Sequence, residues 1–393
     1  MKVVDVTEFW SERGGGVRSY LTTKAQRLPS LGVEHQVFAS GPRNEEIPLS
    51  NAENRGSRLR RFAGPALPYD PTYHLFTQLG AARRALLSER PDVLEIHSPQ
   101  LAALTALATP RRAFGIRTLV WHSDFIDTYL TWKIAERSSA RAAALATAPL
   151  WTWVRAITGR CSATLVASSF QASKLRAHGV LNVTEMPFGV DTSVFRPEAR
   201  DPSFRDRFLG NRDATLLVSV GRLSAEKRTD VLLEGFRQIR KKREARLLVF
   251  GDGPERTKLE TSVRDCPDVV FLGFERNRAE LARALASSDA LVHAGPFETF
   301  GLVVAEARAC GTPVVVASSG AAGELAARDC SEEYVACDPA AFAAALERLL
   351  ARDRRDLLER ARAGVSSVIS IEQHFRALIA LYRELLSQHG HRG

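Results

Sequence analysis

Apolar runs of four to six residues alternate with amphipathic helical stretches along nearly all of this 393-residue chain. That alternation leaves little choice of architecture. Parallel strands need long crossover connections, and helices supply them on both faces of a sheet. Lys2–Thr7, Gln36–Ala39, Asp92–Ile96, Thr118–Trp121 and Thr164–Ala167 predict the strands of one parallel sheet. Thr215–Val220, Leu247–Phe250, Val269–Leu272, Ala290–His293 and Pro313–Ala317 predict a second. Helices intervene at Arg18–Leu28, Thr229–Arg240 and Glu280–Ala286, among others. The class is α/β, and the length suits two domains rather than one. The connector Phe188–Pro202, with two prolines and Gly189, marks the boundary, which gives domains 1–190 and 191–370. Residues 43–70, rich in Arg, Pro, Asn and Gly, predict a long irregular loop holding at most one strand.

Composition excludes several classes. No run approaches the roughly 18 apolar residues of a membrane span. Asp5 inside the first apolar run argues against a signal peptide. Five scattered cysteines (161, 266, 310, 330 and 337) lack metal-ligand or redox spacing and predict reduced, mostly buried thiols in a cytoplasmic protein. The formal charge of +9 is concentrated early: residues 1–190 hold 23 Lys and Arg against 15 Asp and Glu. No basic run interleaves with aromatics as a nucleic-acid module would, so the basic half points to an anionic membrane surface or to a merely soluble basic face.

The stretch Gly295–Leu325 carries the chemistry. Phe300-Gly301-Leu302 opens a helical run that closes at Gly311, with Glu298 just before it and Glu306 two turns along. N–H groups at a helix N-terminus attract phosphate, and carboxylates beside them accept hydrogen bonds from sugar hydroxyls. Phosphate and polyol recognition side by side predicts a nucleotide-sugar ligand. Arg222 and Lys227 follow the strand Thr215–Val220 in a loop that can curl around a diphosphate. Gly251-Asp252-Gly253-Pro254 follows the strand ending at Phe250, and Gly253, Pro254 and Phe274 are expected near the base. In the first half, Gly14-Gly15-Gly16 allow close backbone approach to an anion or sugar, and His122 ends an apolar strand. His97, also at a strand end, is a weaker candidate, and His293 reads as structural. No Asp-x-Asp occurs, and no His/Cys cluster has metal-ligand spacing, so neither metal nor cofactor is expected.

These segments, in this order, resemble the retaining glycosyltransferases of family 4. Gly221-Arg222-Leu223-Ser224-Ala225-Glu226-Lys227, Gly251–Pro254 and Glu298–Glu306 carry the likeness in the C-terminal half; Gly14–Val17, Trp121-His122-Ser123 and Gly189–Pro197 extend it through the rest. The resemblance implies the GT-B fold, with two Rossmann-like domains facing across a cleft. It makes the first domain the acceptor binder, with the final helix, 371–393, packed back on it, and the second the donor binder. It implies that His122 is the active-site histidine, that Glu298 meets the transferred sugar and that Glu306 meets the nucleotide ribose. It also implies front-face transfer without a protein base; Asp124 would be the least poor base candidate for an inverting enzyme.

The reading is therefore a metal-independent hexosyltransferase using a GDP-mannose or UDP-glucose type donor, with catalytic His122, Arg222, Lys227 and Glu298. Donor contacts are expected from Gly15, Gly16, Gly253, Pro254, Phe274, Phe300, Gly301, Leu302 and Glu306. The overall pattern looks most like members that modify phosphatidylinositol or diacylglycerol, so a lipid or saccharide acceptor is expected. Trp132, Trp151 and Trp153 stand among Lys133, Arg137, Arg141, Arg155 and Arg160, a composition suited to peripheral contact with the inner face of a membrane, although Pro149 would interrupt any single long helix. A sugar-nucleotide epimerase of the same fold and a non-catalytic sugar-nucleotide-binding subunit are the alternatives. An epimerase pattern is not found, and the second would be expected to have lost Lys227, Glu298 or His122. A dehydrogenase is excluded because the first glycine motif lacks the G-x-G-x-x-G form.

Overall fold

The computed structural model describes residues 1–11, 15–50, 56–68, 70–210, 212–326 and 329–390. It divides into two compact units. The first comprises Met1–Ile126, Leu130–Pro187 and Glu372–Gly393; the second comprises Asp127–Tyr129 and Phe188–Ile371.

The first unit holds β1 (Lys2–Thr7), β2 (Glu34–Gly41), β3 (Glu45–Pro48), β4 (Arg58–Ala63), the short pair β5 (Ala66–Leu67) and β6 (Asp70–His74), then β7 (Val93–Ile96), β8 (Ile116–Trp121), β9 (Ala163–Val166) and β10 (Val183–Glu185). Eight of these form one sheet in the order β10-β9-β8-β7-β1-β2-β4-β3, parallel except for the β3–β4 edge. The segment expected to be a loop over 43–70 thus adds two strands to the main sheet. Its arginines have a loop-like composition but lie on β4, the strand next to the β3 edge, where Arg58 pairs with Glu46 and Arg61 with Glu45 of β3, while Leu59 and Phe62 are buried.

The second unit holds β11 (Thr215–Val220), β12 (Ala245–Phe250), β13 (Val269–Gly273), β14 (Ala290–His293), β15 (Val314–Ala317) and β16 (Ser331–Tyr334). All are parallel, in the order β13-β12-β11-β14-β15-β16. The helix Thr229–Arg240 buries Val231, Leu232, Leu233, Phe236 and Ile239 in the same cluster as Leu217, Leu247, Val292 and Phe342. Truncating Phe236, which is fully buried, would cost about 3–5 kcal/mol.

Each sheet has one point where successive strands change direction of growth. In the first unit it lies between β1 and β7; in the second, between β11 and β14. Ligands of open parallel sheets bind beyond the carboxyl ends of the strands at that point. The residues leaving β11 are Gly221 and Arg222, and those leaving β14 lead to Glu298.

Candidate active site

In the second unit the loops after β11 and β14 meet. Lys227 closes a 3₁₀ turn, Ala225–Lys227, and its ammonium pairs with Glu298 Oε1. His293, the last residue of β14, places Nε2 3.1 Å from the same oxygen. Lys227 and then His293 outweigh burial and hold the Glu298 carboxyl well below its ordinary range; Glu298 in turn holds the Lys227 ammonium charged. Glu298 is thus a fixed carboxylate, an acceptor for hydroxyls and not an acid. His293, expected to be structural, belongs to this cluster. Its place at the carboxyl end of a switch-point strand was the available signal.

Backbone geometry supports the cluster. The Glu298 carbonyl accepts the Ala321 N–H at 2.9 Å, which ties this loop to the turn after β15. Gly301, at φ 85°, is the N-cap of the helix Leu302–Ala309, whose first turn contains no acidic residue. The first-turn N–H groups of such a helix have no intrahelical acceptor. Phe300 is buried against the Phe188 ring, with centroids 5.5 Å apart, while Leu302 is exposed. Glu306 lies just over one turn inside the helix, not two, because the helix begins at Leu302. It is buried and paired with Arg278, whose guanidinium stacks 4.6 Å over Phe195; burial nevertheless pushes the Glu306 carboxyl up. Arg278 was not among the residues singled out.

The loops after β11, β12 and β13 are sewn together by Gly221 N–H to Phe250 O at 3.0 Å, Leu223 N–H to Asp252 O at 3.0 Å and Gly251 N–H to Gly273 O at 2.7 Å. A Cβ on Gly253 would stand 2.3 Å from the Leu223 carbonyl oxygen, so only glycine permits this approach. Pro254 and Phe274 are exposed, and 58% of Phe274's surface is open. Arg222 stands exposed at the head of the Lys227 loop.

His122, Gly15 and Gly16 belong to the first unit. Gly14 lies outside the described residues. Gly15, at φ 125°, caps the helix Gly16–Arg27. His122, half-buried at the end of β8, places Nε2 2.7 Å from Nδ1 of His97 at the end of β7. His97 Nε2 lies 3.3 Å from both Asp5 Oδ1 and Glu95 Oε1, equidistant and poorly aligned with either. Those two carboxylates share the fully buried Lys24 ammonium at 2.8 and 2.7 Å. Glu95 also accepts from Tyr382 of the last helix at 2.5 Å. Asp5, Glu95 and His97 form the one metal-like grouping among the described residues, but an ammonium already serves its carboxylates, so the donor set fits a salt-bridge cluster.

Asp124, the least poor base candidate, is buried and ion-paired with Lys174. Pro149 does not interrupt the helix, which runs from Ala140 to Thr158. Its alanine-rich first half propagates well, and Trp151, Val154 and Ile157 anchor the second half in the core. Trp151 stacks on His178, with centroids 3.7 Å apart, and Trp153 donates Nε1–H to the Pro99 carbonyl at 2.7 Å, so neither is an exposed membrane anchor. The exposed residues of this helix include Arg141, Leu145 and Arg155. Among the described residues no helix is long and apolar enough to cross a membrane.

Two parallel-sheet units, each with a switch point at the carboxyl ends of its strands, fit the GT-B fold. Solved structures share the fold: sucrose-phosphate synthase from Thermosynechococcus elongatus matches with a TM-score of 0.80 at 20% identity over 98% of this chain and 99% of that one. Anabaena HepE in complex with UDP and glucose matches with a TM-score of 0.72 at 17% identity, over 98% of this chain and 100% of that one. The Glycosyltransferase Family 4 model matches residues 14–194, and the Glycosyl transferases group 1 model matches residues 214–352. A GDP-mannose-dependent alpha-(1-6)-phosphatidylinositol dimannoside mannosyltransferase of Mycobacterium tuberculosis (strain ATCC 25177 / H37Ra) is 30% identical over 361 residues, 90% of this chain and 89% of its own. A GDP-mannose-dependent alpha-mannosyltransferase of Corynebacterium glutamicum is 29% identical, covering 81% of this chain and 73% of its own. The chain belongs to glycosyltransferase family 4.

Proposed function

We propose that this glycosyltransferase moves mannose from GDP-mannose, with retention at the anomeric carbon and without a metal, to an inositol-containing lipid. The observation that carries the reading is the Lys227–Glu298–His293 cluster at the switch point of the second unit. Lysine has three N–H donors, so Lys227 can keep Glu298 and still bind a phosphate oxygen. As the sugar–phosphate bond breaks, negative charge grows on the leaving diphosphate; Lys227, Arg222 and the N-terminus of Leu302–Ala309 would stabilise it. Glu298, held ionised, accepts from hydroxyls of the transferred sugar, and its charge favours the cationic anomeric centre. Glu306 is assigned to the ribose, Phe274 and the Gly253–Pro254 turn to the base, and Gly15, Gly16 and His122 to the sugar and its acceptor. The pairing of Asp124 with Lys174 supports front-face transfer, in which the leaving phosphate takes the acceptor proton.

The donor rests on the relatives named for GDP-mannose, and the acceptor on the one named for a phosphatidylinositol dimannoside. A saccharide or inositol phosphate acceptor is the coarser form of the same reading. None of the relatives named above is an epimerase or a binding subunit. The basic first unit and the exposed Arg141–Leu145–Arg155 face would hold the enzyme against an anionic inner leaflet.

The test supplies labelled GDP-mannose or UDP-glucose with phosphatidylinositol vesicles, purified phosphatidylinositol dimannoside, or D-inositol 3-phosphate. Label from GDP-mannose in a lipid product supports the proposal. Label only from UDP-glucose, or only in the soluble product, overturns the donor or the acceptor respectively.

A further inference from the structure

We propose that His293 is a positioning residue for sugar transfer: its Nε2–H holds Oε1 of Glu298 and leaves Oε2 as the oxygen that meets the transferred sugar. His293 itself touches no substrate. The inference rests on the placement of Glu298 at the sugar proposed above.

The hydrogen bonds carry the argument. Two side chains converge on Glu298 Oε1: the Lys227 ammonium and His293 Nε2, the latter at 3.1 Å. An ammonium has donors only, so the oxygen it meets is an acceptor. His293 must then supply the proton of its own contact, from Nε2. The other ring nitrogen agrees. Nδ1 is buried and has no hydrogen-bond partner among the described residues. A proton there would be a buried donor without an acceptor, which is costly, so the ring keeps its proton on Nε2. Glu298 is thus the one hydrogen-bond partner of this ring among the described residues. No hydrogen bond among the described residues reaches Glu298 Oε2.

The surrounding backbone leaves that contact little play. His293 ends β14, and its carbonyl accepts the Tyr334 hydroxyl of β16 at 3.2 Å. The turn after β15 grips the Glu298 backbone from another side. Ala321 N–H donates to the Glu298 carbonyl, and a Cβ on Gly320 would stand 3.1 Å from Glu298 N and 3.2 Å from its O. With both main-chain ends held, the carboxylate's remaining freedom is rotation of the Glu298 side chain, and two donors on one oxygen restrict it. Gly295 leaves room for the pair. A Cβ there would stand 3.0 Å from His293 Cε1, 3.2 Å from Glu298 Oε1 and 3.4 Å from His293 Nε2. Gly295 is not among the glycines of positive φ, so its backbone would accept a side chain; what glycine spares is the histidine–carboxylate contact. Of the two donors, Lys227 is also assigned to the diphosphate. His293 has no second task and holds Glu298 while Lys227 serves the leaving group.

The test compares three replacements of His293. His293→Ala removes the donor. His293→Gln returns an amide N–H near the position of Nε2, whereas the shorter amide of His293→Asn reaches only that of Nδ1. His293→Ala and His293→Asn should lower kcat for transfer from GDP-mannose about 10- to 100-fold, the scale of a small misplacement at the reacting centre. His293→Gln should recover most of that loss. GDP carries no transferred sugar, so its Kd by calorimetry should stay within about twofold in all three. Equal loss of kcat in all three, or a Kd for GDP that weakens in step with kcat, overturns the positioning role. Gly295→Ala supplies an arm that leaves His293 in place. It should also lower kcat, and the double variant Gly295→Ala/His293→Ala should lose less than the product of the single losses, because both act on one contact; a full product counts against the proposal. Should His293→Ala fail to fold, Gly295→Ala and the contrast of Gln with Asn decide. Nitrogen NMR of the wild type with ¹⁵N-labelled histidine, assigned by the signal missing from His293→Gln, should show a protonated Nε2, and a bare Nε2 overturns the proposal. Wild-type turnover by Glu298→Ala would sink the placement of Glu298 at the sugar, whereas wild-type turnover by His293→Ala beside an inactive Glu298→Ala sinks only the role of His293.

Discussion

Lys227→Ala separates the two jobs assigned to one ammonium. In the folded enzyme Lys227 pairs with Glu298, and the side chains are 32% and 15% exposed. Breaking a buried pair costs about 3–5 kcal/mol and an exposed one about 0–1. At this exposure, with His293 still facing Glu298, the stability loss should be about 1–2 kcal/mol, a fall in Tm of roughly 2–8 °C. The catalytic loss is a different quantity. Removing one preorganised donor to the leaving diphosphate costs about 2–4 kcal/mol of transition-state stabilisation, or about 30- to 900-fold in kcat. Initial rates with GDP-mannose and lipid acceptor, alongside Tm by calorimetry, measure both. The double variant Lys227→Ala/Glu298→Gln removes the stranded carboxylate as well. It should regain stability without regaining activity, because the two residues are in contact and couple. This assignment of Lys227 is refuted if Lys227→Ala stays folded with activity within about threefold of wild type. It is equally refuted if the double variant recovers turnover, since Lys227 would then matter only as a counterion.

Three further outcomes follow from the same structure. Glu8, buried after β1 although Leu101 and Ala102 offer it N–H groups, has its carboxyl raised from 4.5 to about 7. The folded state therefore binds the proton more tightly between those values, and the stability it confers is lost as pH rises through 7. Glu8→Gln should gain about 1–3 kcal/mol at pH 8.5 and nothing at pH 4; an unchanged Tm difference across that range would dismiss the raised carboxyl. Full mannose transfer should persist in EDTA, because the phosphate charge is assigned to Lys227, Arg222 and a helix terminus; a chelated enzyme rescued only by magnesium would show otherwise. Leu145, 70% exposed on the helix Ala140–Thr158, should lie in the membrane-facing patch. Leu145→Glu should then weaken binding to anionic vesicles, as should added salt; equal binding by both proteins at every salt concentration would remove this face from contention.

The two sheets were legible because buried parallel strands are written as short apolar runs, and runs such as Leu216–Val218 and Val314–Val316 tolerate no other reading. The β3–β4 edge was hidden because Arg58, Arg60 and Arg61 resemble loop composition until their partners Glu45 and Glu46 are brought opposite. The residues at the ends of β11 and β14 stood out in sequence as a basic and an acidic motif, yet their contact did not, since 71 residues separate Lys227 from Glu298. The Asp5–Lys24–Glu95–His97 cluster was the least legible feature. Each member taken alone breaks the rule that charge stays outside, and only the folded chain brings the Lys24 ammonium between the two carboxylates. Trp151 and Trp153 gave the opposite error: a composition typical of interfacial helices served the interior.

The proposed mechanism assigns the donor diphosphate and ribose to the second unit. Titration calorimetry of the wild type, Lys227→Ala, Glu306→Ala and His122→Ala with GDP in EDTA tests it most directly. The expected result is GDP binding by the wild type, an affinity about tenfold or more weaker for Lys227→Ala and for Glu306→Ala, and no change for His122→Ala. Loss of GDP binding in His122→Ala, with Lys227→Ala and Glu306→Ala unaffected, would contradict it.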